Sequence, residues 1–154
     1  MPLGQRQLIL VAATGSLALL LAAFAFQHVG GMAPCSLCVW QRWPHAVAVA
    51  CGAVALFALP RLMAGAGLLA VLATAAIGGY HTGVERGWWE GPATCSNAPA
   101  SGLSTDELFD RIMDAPLVRC DEVAWQMLGL SMASWNMIAA LGLAAIWVMA
   151  LRAR

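Results

Sequence analysis

Four uncharged apolar runs, near residues 8–26, 43–59, 62–80 and 132–151, constrain this chain more than any other feature. An apolar stretch of about 20 residues is long enough, as a helix, to cross the hydrocarbon of a bilayer. Lipid offers no hydrogen-bond partner to an open backbone, so each crossing segment must be helical. Composition agrees: 61% of the 154 residues are hydrophobic and 10% charged, against about one quarter charged in soluble domains. The expected fold is therefore an all-α membrane protein. It is a four-transmembrane-helix bundle forming a single integral membrane domain (1–154), with a short loop at 27–42 and a long one at 81–131. The second run is the weakest, because it must borrow Trp43, Pro44 and His45 at one end. If it begins there, Pro44 falls in its first turn, where proline is tolerated. Only Pro60 and Arg61 separate it from the third, which predicts a tight helical hairpin.

Ala23-Phe24-Ala25 has the small-x-small look of a signal cleavage site, but the apolar run is longer than the usual 7–15 residues or so. We read it as a retained helix. All eight basic residues are arginine. With both termini in the cytoplasm, Arg6, Arg61, Arg152 and Arg154 crowd short inside segments, where the positive-inside rule weighs most. All eight acids, from Glu85 to Glu122, lie in the long loop. This topology also puts four of the five cysteines outside, in an oxidising compartment such as the bacterial periplasm.

The long loop reads in three parts. Trp88 and Trp89 form an aromatic anchor before a Gly91-Pro92 turn. Residues 96–102, rich in Ser, Ala and Gly, read as a mobile linker after Cys95. Ser104-Thr105-Asp106-Glu107 then matches a capping box, opening a short helix that Pro116 would stop. Its apolar residues Leu108, Phe109, Ile112 and Met113 share a face. That face suits either the membrane surface or the mouth of the bundle. Six of the seven tryptophans, all but Trp147, fall at the outer boundary and read as an aromatic belt, some also lining a ligand pocket.

The chemistry lies in the cysteines. Cys35-Ser36-Leu37-Cys38 sits in the short loop, and Cys95 and Cys120 in the long one. A Cys-x-x-Cys pair at a membrane edge suggests thiol–disulfide exchange, which needs a thiolate, a resolving neighbour and access for a partner. Cys38 is expected near the N-terminus of the second helix, whose dipole favours a thiolate. Arg42, four residues on, adds a cation on the same face. Four cysteines permit three pairings. We favour Cys35–Cys38 with Cys95–Cys120, while an exchanging relay would visit the others. The bland alternative is a scaffold held by static disulfides. Cys51, in mid-span, reads as a small buried hydrophobe. A Cys₄ zinc site brings two close-spaced pairs, which Cys95 and Cys120 are not, so no metal is expected. No dinucleotide fingerprint or haem-attachment motif is present. The electrons then need a lipid-soluble acceptor, and a quinone fits, its carbonyls accepting from Arg42 and from His81.

Pro34-Cys35-Ser36-Leu37-Cys38 followed by Gln41-Arg42 resembles the Cys-x-Leu-Cys-x-x-Gln-Arg signature of the DsbB family of membrane disulfide-generating proteins. Ala93-Thr94-Cys95 is similar to the family's second-loop motif, and Cys120, Trp125 and Gly129-Leu130-Ser131-Met132 resemble its return into the fourth helix. The resemblance covers most of the chain and implies a quinone-dependent thiol oxidoreductase of the bacterial inner membrane, both termini cytoplasmic. It would reoxidise a periplasmic DsbA-like thioredoxin-fold protein. Cys95 would be the sulfur attacked by that partner, with Cys120 as its resolving cysteine. Electrons would pass to Cys35 and Cys38, through a Cys35–Cys120 bridge. Cys38, Arg42 and His81 would meet ubiquinone or menaquinone.

Overall fold

The computed structural model describes residues 3–93, 95, 104–114 and 118–153. The linker at 96–102, Thr94 and the helix stop at Pro116 lie outside the described residues. Four long helices form the body: α1 (Leu3–His28), α2 (Ser36–Ala55), α3 (Pro60–Glu85) and, last in the chain, α5 (Met132–Arg152). A short α4 (Thr105–Asp114) and a two-residue hairpin, β1 (Gln126–Met127) with β2 (Leu130–Ser131), occupy the region between α3 and α5. Helix α1 packs on α2 and α5, and so does α3, so α1 and α3 face each other across the diagonal of the bundle.

Helices α1, α3 and α5 are long and apolar enough to cross a membrane. Helix α2 is not among them, because its first half carries Gln41, Arg42, Pro44 and His45. It also begins at Ser36, well before residue 43. Cys35 is its N-cap, with its sulfur accepting the Cys38 N–H at 3.2 Å, so the helix starts immediately after the first cysteine. Pro44 consequently lies in the helix interior and not in the first turn, where it leaves the Trp40 carbonyl without its N–H partner. The helix ends at Ala55, and Leu59 turns the chain with a φ of 48°. Pro60 then opens α3 at the first helical position, where its missing N–H is not needed. Helix α3 runs past Tyr80 to Glu85, which carries His81 and Glu85 on helical rather than loop backbone.

The core between the helices is built on small residues around one large one. Ile9, Ala12, Ala48, Val71, Ala144 and the fully buried Trp147 form a single cluster. Gly67 lets α3 approach: a Cβ there would meet the Trp147 ring at 2.6 Å. Small residues at helix contacts suit a bilayer, where close backbone packing rather than hydrophobicity drives association.

At the capping box, the Ser104 N–H and hydroxyl donate to the Glu107 carboxylate at 2.9 and 2.7 Å, and the Glu107 N–H returns to Ser104 Oγ at 3.4 Å. These bonds hold the Glu107 carboxyl below its usual range. Phe109 and Met113 project away from the bundle, both well exposed. The hairpin turns on Leu128 and Gly129, both at positive φ (54° and 75°), as two-residue hairpins favour.

Candidate functional site

The N-terminal ends of α2 and α5 and the C-terminal end of α3 bring the sequence-derived residues together. Cys35, Leu37, Val84, Cys95 and Cys120 form one buried cluster, with Cys38 packed against it. Cys95 and Cys120 are joined in a disulfide, and the Cys120 N–H donates to the Cys95 carbonyl at 3.3 Å. Cys35 and Cys38 are free thiols with their sulfurs 2.7 Å apart. Four of the five cysteines thus meet at one point. The fifth, Cys51, lies farther along α2, outside that cluster.

The two free sulfurs face different surroundings. Cys35 is buried against the loop disulfide. Cys38 is half-buried and lines a cavity of about 380 Å³ between α1, α2 and α5. The two sulfurs are in direct contact, and the pair titrates as a unit. The hydrogen bond from the Cys35 thiol holds the Cys38 thiol below its ordinary value, with burial opposing it and Arg42 adding a weaker pull downward. The same bond, then burial, pushes the Cys35 thiol well up.

Arg42 lines the cavity with Cys38, but α1 holds its guanidinium: it donates to Gln27 Oε1 and lies 5.0 Å over the Phe24 ring. His81 sits behind Cys35, nearly fully buried, with Nε2 3.6 Å from the Cys35 sulfur and 3.8 Å from the Glu85 carboxylate. Gln41 Nε2 faces His81 Nδ1 at 3.0 Å and donates to the Leu37 carbonyl at 3.2 Å. An amide N–H at Nδ1 assigns the imidazole proton to Nε2, pointing it at sulfur and carboxylate.

Several of these residues carried no role in the sequence. Gln41 belongs to the quoted signature, and the structure makes it the hub: Asn136 Nδ2 donates to Gln41 Oε1 at 2.8 Å and to Thr74 Oγ1 at 3.2 Å. Asn136 Oδ1 takes His45 Nε2 at 3.0 Å. Glu85 read as one more loop acid, yet its side chain is buried and receives the Ser131 hydroxyl. The available signal was polarity inside apolar helices, which marks function by default: Thr74, His81 and Asn136 interrupt otherwise apolar sequence. Two of the belt tryptophans, Trp125 and Trp135, line the cavity, whereas Trp40, Trp43 and Trp88 are exposed.

The cavity suits an amphipathic, lipid-borne ligand. Its volume falls in the range of about 300–1,000 Å³ typical of small-molecule sites. Its walls are mostly apolar, and Cys38, Gln41, Arg42, His45, His81 and Asn136 supply the polar groups. A flat ring with carbonyl oxygens would find donors at Arg42 and a sulfur at Cys38.

The family model described as "Disulfide bond formation protein DsbB" matches residues 5–150. A "Disulfide bond formation protein B 2" of Pseudomonas aeruginosa is 32% identical over 143 residues, covering 88% of this chain and 84% of the relative. The "Disulfide bond formation protein B" of Stutzerimonas stutzeri is 28% identical over 152 residues, covering 92% and 91%. An uncharacterized protein of Rickettsia prowazekii is 29% identical over 133 residues, covering 84% and 77%.

Proposed function

We propose, from the premise that this chain belongs to the DsbB family of disulfide bond formation proteins, that it is a quinone-dependent thiol oxidoreductase. In this reading it is a four-span protein of the bacterial inner membrane, a single membrane domain with both termini in the cytoplasm. It reoxidises a DsbA-like thioredoxin-fold protein in the periplasm. The observation that carries the reading is the division at the sulfur cluster, where Cys35 packs with the Cys95–Cys120 disulfide and Cys38 opens to the apolar cavity.

The cycle is a series of exchanges. A partner thiolate attacks Cys95 Sγ, breaking its bond to Cys120 and forming a mixed disulfide. The partner's second thiolate attacks its own sulfur in that bond and leaves oxidised, with Cys95 and Cys120 reduced. Cys120 then attacks Cys35 in an oxidised Cys35–Cys38 pair, releasing Cys38 as a thiolate. Cys95 attacks Cys120, which restores the loop disulfide and frees Cys35. Cys95–Cys120 bonded with Cys35 and Cys38 free is the arrangement expected at this stage. A quinone held by Cys38, Arg42 and His81 would supply the sink for the two electrons and two protons that reforming the Cys35–Cys38 bond releases. His81, donating through Nε2, stabilises the Cys35 thiolate whenever it is freed, and Gln41 fixes the imidazole in that orientation. The contact between the two sulfurs makes Cys38 the readier of them to ionise.

Thiol trapping of purified protein tests the reading. With reduced partner and no quinone, all four cysteines are expected to accumulate as thiols; added quinone should return them to disulfides. In a Cys38→Ser variant, quinone should restore nothing. Cysteines that never become reduced, or quinone consumption unchanged by Cys38→Ser, would overturn it.

A further inference from the structure

Two thiols at the start of α2, and an imidazole and a carboxylate near the end of α3, converge at the buried centre. Cys35 Sγ, Cys38 Sγ and His81 Nε2 all lie within 4.8 Å of one another. Glu85 Oε1 is 3.8 Å from the same imidazole nitrogen. Among the described residues, Glu85 makes an ion-pair contact with His81 alone. Arg42 is turned to Gln27 and Phe24, and the Arg86 guanidinium lies 5.3 Å over Trp88. A buried carboxylate beside a thiolate, with Arg42 and Arg86 turned elsewhere and acting only from a distance, is an unfavourable charge arrangement.

We infer that the reduced form of this centre is a binding site for one thiophilic cation such as Zn²⁺, held by Cys35, Cys38 and His81, with Glu85, which must swing inward from beside the imidazole, as the fourth ligand. The inference rests on the reading above in one respect, that Cys35 and Cys38 are reduced during turnover. Zinc takes Cys sulfur at about 2.3 Å and His nitrogen at about 2.0–2.1 Å in tetrahedral sites, which sets an S···N edge of roughly 3.6 Å. The Cys35–His81 separation is 3.6 Å. The two sulfurs, at 2.7 Å, must open by about 1 Å to reach a tetrahedral edge, and Cys38 borders the cavity and has room to turn. A ligating imidazole usually gives its other N–H to an oxygen. Coordination through Nε2 leaves the imidazole proton on Nδ1, so Gln41 must turn its amide oxygen to it and give up its bond to the Leu37 carbonyl. Binding expels the two thiol protons, and the two thiolates with the carboxylate overbalance a dication by one charge. The oxidised pair has no thiolates to offer, so the site exists only in the reduced state. There the metal would hold the centre closed to its acceptor.

Sequence spacing hid this site because its third and fourth ligands come from another helix, 46 residues or so away from Cys35.

The test uses the full-length protein in detergent, reduced with a phosphine, freed of reductant without air and titrated with Co²⁺, then with Zn²⁺. The expected result is one Co²⁺ per chain, with thiolate charge-transfer absorption and tetrahedral d–d bands that Zn²⁺ abolishes. Oxidised protein should show neither band. Cys35→Ser and His81→Ala should each weaken binding by at least about tenfold, the scale that even changes around a site's ligands reach. Glu85→Gln, which keeps shape and volume, should weaken it less, and Cys51→Ala should bind as wild type does. No bands in the reduced protein, or bands retained in both Cys35→Ser and His81→Ala, would overturn the inference. Protein that reduces quinone yet binds no Co²⁺ refutes this site and leaves the proposed function standing. Protein that binds Co²⁺ but cannot reduce quinone does the reverse.

Discussion

Replacing Asn136 by alanine removes the residue that ties α5 to the two helices carrying the site. Asn136 donates to Gln41 Oε1 at 2.8 Å and Thr74 Oγ1 at 3.2 Å, and accepts from His45 Nε2 at 3.0 Å. Interhelical bonds of this kind in membrane proteins average about 0.6 kcal/mol, with a maximum near 1.7, so three come to roughly 2 kcal/mol. The Thr74 hydroxyl keeps its bond to the Gln41 carbonyl at 2.9 Å. The groups left without a partner are therefore Gln41 Oε1 and His45 Nε2, one acceptor and one donor. Unfolding of purified protein in mixed micelles, followed by far-ultraviolet circular dichroism over a sodium dodecyl sulfate series, should show a loss of about 2 kcal/mol. The loss should carry a functional signature, because Gln41 also orients His81. Turnover with quinone should fall further than formation of the mixed disulfide at Cys95. A stability change below about 0.5 kcal/mol, less than one average bond, would refute the argument that this network joins the helices.

Gly67→Ala drives a methyl into the Trp147 ring and should destabilise the bundle by about 1–3 kcal/mol, the usual range for overpacking, measured by the same unfolding series. Gly83→Ala should displace the Trp89 ring that lies on it and break the Trp89 Nε1 bond to the Tyr80 carbonyl. Loss of ordered near-ultraviolet tryptophan dichroism would report that displacement. Arg42→Ala should reduce quinone turnover by about tenfold or more, the scale of one hydrogen bond to a charged group, and leave transfer from the partner nearly intact. Equal loss of both steps would remove Arg42 from the acceptor site.

Helices α1, α3 and α5 were legible because an uninterrupted apolar run has few other ways to fold. Helix α2 was legible in existence but not in extent. Gln41 and Arg42 look like loop residues in a hydropathy reading and His45 like a poor helix end, yet Gln41 and His45 face inward and pair with polar groups on α3 and α5. The first cysteine caps that helix, a role that depends on backbone geometry and not on residue type alone. The four loop cysteines could be picked out by motif. Their convergence could not, since Cys35 and Cys120 lie on segments whose register only packing decides. Glu85 was hidden for a related reason: a carboxylate beside a long polar loop reads as solvated until α3 is seen to continue through it. The Leu128-Gly129 turn lacks the Asn-Gly or Asp-Gly signal that usually betrays such hairpins. The structure leaves the face of α4 that carries Phe109 and Met113 open, which suits the membrane surface better than the bundle mouth.

Single-turnover oxidation of reduced thioredoxin-fold partner, without air and with one equivalent of quinone, tests the central claim most directly. Wild-type protein should form one quinol for each partner dithiol oxidised. Cys38→Ser should form none, while the partner is still trapped as a mixed disulfide on Cys95. Quinol formed at the wild-type yield by Cys38→Ser would contradict the account, because electrons would then be leaving by a route that bypasses the sulfur facing the cavity.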